Sequence, residues 1–176
     1  NNPLKLAELI DREQVDTIIN LVALTNLDLC EEQVAEAYHV NSGVVAAIVE
    51  ALGLCSSGSK PHLIHISTDQ LYSGAGPHSE EHVHPINVYG LSKYTGELIA
   101  LQAGATILRT NFYGLSHCPD RKSFSDWVVQ SLRDGTPITV FEDIRFSALH
   151  IKTLCEFVGL AIGLGSSGVY NLGCRD

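Results

Sequence analysis

Positive charge is scarce in this 176-residue chain: 11 Lys and Arg stand against 20 Asp and Glu, for a net charge of −9. A nucleic-acid-binding surface needs a basic patch or stripe. The one local basic pair, Arg121-Lys122, reads as a solvated loop. Long apolar runs are missing too, since none reaches the roughly 18 residues of a membrane span. The opening "NNPLKLAELI" does not pair a basic start with an apolar core, so it is no secretion signal. The cysteines (30, 55, 118, 155 and 174) are odd in number, scattered and without a CxxC. They read as reduced residues of a cytosolic protein, mostly buried and inert. Neither an internal repeat nor a low-complexity segment is present.

A phosphate-binding glycine loop is also lacking. The one literal G-x-G-x-x-G, at Gly163, Gly165 and Gly168, closes a helix and precedes the strand "GVYNLG". A dinucleotide fingerprint must instead follow a strand and open a helix. These three glycines therefore read as a helix terminator and turn. If the fold binds a nucleotide, its first strand, glycine loop and second strand are expected ahead of Asn1.

What is present is 45% hydrophobic residues, enough for one substantial core. "VDTIINLVAL" (15–24), "HLIHIS" (62–67) and "ATILRT" (105–110) are short, β-branched apolar runs that read as buried strands. "PITVF" and "GVYNLG" read as two more. Helical spacing marks "PLKLAELIDRE", the long stretch from Cys30 to Gly53 with Gly53 as its C-cap, the segment after Ile86, "FSDWVVQSLRDG" and "HIKTLCEFVGLAIG". Strands alternating with helices predict a doubly wound, Rossmann-like parallel sheet, incomplete at the N-terminus. Residues 1–135 read as the C-terminal part of the dinucleotide-binding domain, and 136–176 as the start of the substrate-binding region packed on it. In such folds ligands bind beyond the carboxyl ends of the strands. That draws attention to "ALTNLD", "STDQLYSG" and "RTNFYG".

Tyr89 and Lys93 stand four residues apart in "INVYGLSKYTGE", hence on one helical face. A cation so placed is expected to lower the phenol's pKa and make Tyr89 a general acid. On spacing alone an ordinary exposed helix turn explains the pair equally well. Asn41 reads as an amide tying backbone together. His78, His82 and His84 read as solvated loop histidines, because no ordered carboxylate or cysteine partners accompany them. Trp127 and Phe124, at helical spacing with Val128, read as core. Arg145 and His150 stay unassigned.

Taken together, "VDTIINLVALTNLDLCE", "HVNSGVVAAIVEALG", "HLIHISTDQLYSG", "PINVYGLSKYTGE", "ILRTNFYG" and "FSALHI" resemble, in order, an extended short-chain dehydrogenase/reductase. Within it they are most similar to dTDP-4-dehydrorhamnose reductase and its relatives. The resemblance implies a cytoplasmic NAD(P)-dependent oxidoreductase of dTDP-rhamnose biosynthesis, reducing the 4-keto group of a nucleotide-linked deoxysugar, with NADP or NAD as cofactor. It implies catalytic roles for Thr68, Tyr89 and Lys93. Cofactor contacts would come from Ala23, Leu24, Thr25, Ser67, Tyr89, Lys93, Arg109 and Thr110, and substrate contacts from Asp69, Asn111 and Phe112. No metal, nucleic acid or membrane is implied, and a homodimer is an option.

Two alternatives stay open. One is a nucleotide-sugar epimerase of the same superfamily. The other is a non-catalytic relative like the regulatory subunit of methionine adenosyltransferase. The related 4,6-dehydratases carry an Asp-Glu pair after the loop threonine, where this chain has Asp69-Gln70. An amide takes up no proton near neutral pH, so the eliminating base is missing.

Overall fold

The structure is a computed structural model that describes residues 2–56, 60–118, 120, 122–140 and 147–174. Its centre is a four-stranded parallel sheet in the order β1 (Thr17–Asn20), β2 (His62–Thr68), β3 (Thr106–Thr110), β6 (Gly168–Leu172). A two-stranded parallel pair, β4 (Phe112–Tyr113) with β5 (Leu149–His150), stands beyond the end of β3.

Both faces of the sheet are covered, as near-continuous apolar strands require. On one face α1 (Pro3–Glu13), α4 (Val44–Leu54) and α5 (Val88–Gln102) close a core of Ala7, Ile10, Val45, Ile48, Leu52, Leu63, Ala100 and Ile107. On the other, α7 (Ile151–Leu164) lays Val158 and Ala161 against Ile64, Ile66 and Leu108. The helix ends follow local chemistry. Asn2, Asn87 and Ser123 accept backbone N–H groups at the starts of α1, α5 and α6 (Phe124–Asp134), and Ser123 with Asp126 forms a reciprocal capping box. Gly135 and Gly165 take left-handed conformations at the ends of α6 and α7. The glycine triplet at 163–168 is thus a helix stop leading into β6.

Several expectations need correction. β1 covers only Thr17–Asn20; Leu21 and Val22 are exposed, and the chain from Leu21 to Asn26 runs irregularly. The long helix is interrupted. α2 (Leu27–Glu32) and α3 (Val34–Tyr38) are followed by a π turn, His39–Gly43, before α4. Gly53 lies inside α4, and Cys55 caps it in an extended conformation. "PITV" forms no strand, while Phe141 and Arg145 lie outside the described residues, as does Arg121. By length and composition Val34–Leu54 is long and apolar enough to cross a membrane. Scattered polar residues such as Glu36 and Glu50 hide this in a search for unbroken runs. The helix packs on α1 and α5 and buries Ala37, Val45, Ile48, Ala51 and Leu52, so it serves as a core helix. Of the five cysteines only Cys30 is buried; Cys118, Cys155 and Cys174 are exposed.

Candidate active site at the strand ends

Register sets the floor of the site. Ser67 pairs with Arg109 and Thr68 with Thr110, so β2 and β3 end level and release Asp69 and Asn111 side by side. The Asn111 side chain hydrogen-bonds the Asp69 carboxylate, and the Thr68 hydroxyl accepts the Gln70 N–H at 3.2 Å. Asp69 Oδ1 is buried and has no partner among the described residues.

Above this floor sits the start of α5. Asn87 caps it by accepting the Gly90 N–H at 2.7 Å. At position 90 a Cβ would come within 2.8 Å of the Gln70 carbonyl oxygen, so only glycine lets the helix approach the loop this closely. That approach brings the Tyr89 phenol to the Thr68 side chain, with which it hydrogen-bonds. One turn on, the Lys93 side chain, only 2% exposed, donates to the Ile66 carbonyl at 2.7 Å.

The first loop is tied to the same helix. Asn41, turned inward by the π turn, accepts the Leu24 N–H at 2.8 Å and donates to the Leu24 carbonyl at 3.1 Å and to Ser92 Oγ at 2.9 Å. The structural reading of Asn41 holds. A Cβ at Gly96 would stand 2.5 Å from the Asn41 carbonyl oxygen, so this glycine admits the π turn against α5.

Burial dominates the electrostatics. It lowers the Lys93 pKa to about 8, partly countered by Glu97. Burial also raises the Tyr89 pKa, while the Thr68 hydrogen bond works to lower it. The expected depression of the phenol by its neighbouring cation is therefore not what this conformation has. The Lys93 ammonium is directed to the strand carbonyl. Asp69 is raised by burial against the pull of its hydrogen bonds.

Known proteins resemble this chain in sequence and in fold. Residues 1–174 match the RmlD substrate binding domain family. The chain belongs to that family. It is 34% identical over 98% of its length to the "Probable low-salt glycan biosynthesis reductase" of Haloferax volcanii, aligning with 58% of that protein. With a dTDP-4-dehydrorhamnose reductase of Sinorhizobium fredii it shares 39% identity over 55% of this chain and 33% of the relative. The crystal structure of dTDP-4-dehydrorhamnose reductase from Bacillus anthracis in complex with NADP superposes with a TM-score of 0.87 at 24% identity, covering 99% of this chain and 62% of that one. The chain thus spans little more than half the length of the first of these relatives.

In this RmlD-family chain Thr68, Tyr89, Lys93, Asp69 and Asn111 converge. Ala23, Leu24 and Thr25 form the irregular segment after β1. Thr25 and Phe112 line an open cleft of about 520 Å³ together with Lys122 and Ile151. Thr110 is buried, its hydroxyl donating to the Asn111 carbonyl. Ser67 is buried in β2 with its Oγ unpartnered among the described residues.

Arg109 is turned elsewhere. Nε and Nη2 donate to Glu97 at 2.7–3.1 Å, and Nη1 to Tyr72 Oη at 2.7 Å and the Glu80 carbonyl at 2.8 Å. Tyr72 in turn donates to Asn171 at 2.6 Å, and Asn171 donates its backbone N–H to Glu80, so the loop after β2 is latched onto β6. Sequence reading passed over Glu97 and Tyr72. The signal was there for Glu97: Tyr89, Lys93 and Glu97 recur every four residues on the buried face of α5. In the histidine loop, His78 stacks on Tyr72, His82 meets Ser79 and His84 meets Ser73.

Proposed function

We propose that this chain is the ketone-reducing core of an NAD(P)H-dependent reductase acting on the 4-keto group of a nucleotide-linked deoxysugar, as in dTDP-4-dehydrorhamnose reductase. The observation that carries this reading is the contact of the Tyr89 phenol with Thr68, one turn from the buried Lys93, at level strand ends.

The donor set fits the nicotinamide end of a dinucleotide. Lys93 has ammonium hydrogens beyond the one given to Ile66, suited to ribose hydroxyls, and the backbone of Leu24 is immobilised by Asn41. Ala23, Thr25 and Thr110 would complete that wall. When bound, the reduced nicotinamide supplies hydride to the carbonyl carbon. Tyr89 then gives its phenolic proton to the carbonyl oxygen, so hydride and proton together make the alcohol. Thr68 Oγ1 orients that oxygen by hydrogen bonding. Lys93, charged below about pH 8, compensates the phenolate left behind.

Asp69 Oδ1, a buried acceptor without a partner among the described residues, suits a hydroxyl of the sugar, with Asn111 on the same carboxylate and Phe112 as the further sugar contact. Residues 1–135 then act as dinucleotide-binding domain and 136–176 as the start of the substrate region, in a cytoplasmic protein with an option of homodimerisation.

The test uses the full-length protein. With a dTDP-4-keto-6-deoxysugar it should consume NADPH stoichiometrically. With dTDP-glucose and NAD it should yield no 4-keto-6-deoxy product, because Gln70 is no base. Formation of that product overturns the reading, as does sugar epimerisation without net NADPH use.

A further inference from the structure

His65 and Ser67 occupy alternate positions of β2 and so share one face. Leu63, next in that alternation, packs with Ala100 and Val45, which identifies the face as the one under α4 and α5. Both residues are buried, and His65 Nε2 and Ser67 Oγ have no hydrogen-bond partner among the described residues. The other ring nitrogen is taken. Asn20, opposite His65 across the β1–β2 register, uses its Oδ1 to accept the Val22 N–H at 3.1 Å. Its Nδ2 therefore faces His65 Nδ1, at 2.9 Å, and donates to it. With Nδ1 accepting, the neutral ring carries its hydrogen on Nε2. That leaves a buried N–H donor, a group rarely tolerated without an acceptor.

Lys93 comes down from α5 to the carbonyl of Ile66, the residue between these two. Its ammonium cannot serve the His65 N–H, since both are donors. Nor are His65 Nε2 and Ser67 Oγ bonded to each other. One water would serve all three: it would accept from His65 and Lys93 and donate to Ser67, within the two to four partners a buried water usually has.

We propose that His65 Nε2–H, Ser67 Oγ and Lys93 Nζ enclose one internal water, through which His65 is a positioning residue for Lys93. Two of the three ammonium hydrogens are then fixed, on Ile66 O and on the water. The third is left for the strand ends, where Tyr89 and Thr68 stand. Burial, with the nearby Lys93 charge second, holds the His65 pKa down to about 3, so the ring remains neutral beside the cation. The charge that acts on it is Lys93 of α5, whose neighbour Glu97 is paired to Arg109 of β3; β1 offers the uncharged Asn20.

The part of this inference that concerns turnover rests on the reductase reading, but the site itself does not. In the full-length protein, nitrogen NMR should find His65 neutral and protonated at Nε2 from pH 8 to pH 5. A high-resolution crystal structure should place a solvent oxygen within about 3.2 Å of both His65 Nε2 and Lys93 Nζ. His65→Leu removes the donor and the water, an acceptor that favours charged Lys93. The lysine's own titration, followed by NMR, should therefore fall by about one pH unit. NADPH binding at pH 8 should weaken several-fold, and His65→Gln, which restores a donor, should recover most of both.

A His65 ring that titrates near its ordinary value, an Nδ1–H tautomer, or no solvent oxygen at that point overturns the proposal. So does a Lys93 titration unmoved in His65→Leu. If that variant does not fold, the wild-type tautomer and solvent position decide alone. Should the wild type show the tautomer and the water yet bind no NADPH, the reductase reading fails and the water site stands.

Discussion

Between His62 and Thr110, β2 and β3 bury all but one of their side chains, whereas α6 and α7 bury one residue each, Ser131 and Leu154. Both regions have strong apolar patterns. In the first, the chain supplies its own cover from α4, α5 and α7. In the second, Phe124 (68% exposed), Trp127 (43%), Leu132 (71%), Leu160 and Leu164 face outward, and the rings of Phe124 and Trp127 pack mainly on each other, 5.6 Å apart. The expectation that these two aromatics are core is therefore wrong for this chain. Periodicity reveals that a helix has an apolar face. It does not reveal which part of a protein covers that face.

Substitutions separate the two regions by size of effect. Tyr89→Phe in the full-length protein should lower ketone reduction by about two to four orders of magnitude, the usual worth of a positioned general acid. Steady-state kinetics with NADPH measures it, and undiminished turnover would remove Tyr89 from the chemistry. Next comes the buried ion pair. Arg109→Met leaves the Glu97 carboxylate buried and unpaired, at a cost of about 3–5 kcal/mol in urea denaturation. Adding Glu97→Met should recover much of that loss. A response confined to cofactor affinity, with stability intact, would return Arg109 to the ligand-contacting role that the family resemblance implies.

One substitution made in both regions sharpens the contrast, because its sign should reverse. Gly96→Ala drives a Cβ to 2.5 Å from backbone and should cost about 1–3 kcal/mol. At Gly159, inside α7, a Cβ meets nothing within 4 Å, so Gly159→Ala should stabilise by about 0.5–1 kcal/mol. Equal shifts in the two thermal melts would dissolve the distinction drawn here. Smallest of all, Leu132→Lys on α6 should move stability by no more than about 0.5 kcal/mol.

The strands β2, β3 and β6 and the helices α5, α6 and α7 were legible because each has a clean apolar period, and the stop of α7 was legible in the glycines that follow it. Three things were not. β1 reads as ten residues but pairs over four, since apolar content continues through Leu21 and Val22 after the ladder has ended. The π turn was not read, because the apolar positions on both sides of it keep a helical spacing and mask the break at His39–Gly43. The fate of Arg109 depends on Tyr72 and Glu97, partners 37 and 12 residues away that only the assembled sheet brings near. At the site, the residue types were legible and the direction of the Tyr89 shift was not, because burial outweighs a cation whose hydrogen bond goes to the strand.

The turn at His39–Gly43 also stores one residue of slack. A π turn holds one residue more than the α-helical turn it replaces. Because the extra residue is absorbed as a bulge, the helices on its two sides keep their phase. Deleting one of the five would leave a regular helix with Val45, Ile48 and Leu52 still turned to the sheet. What the deletion would take away is the inward setting of Asn41 against Leu24 and Ser92, so the surplus residue serves the loop and not the core.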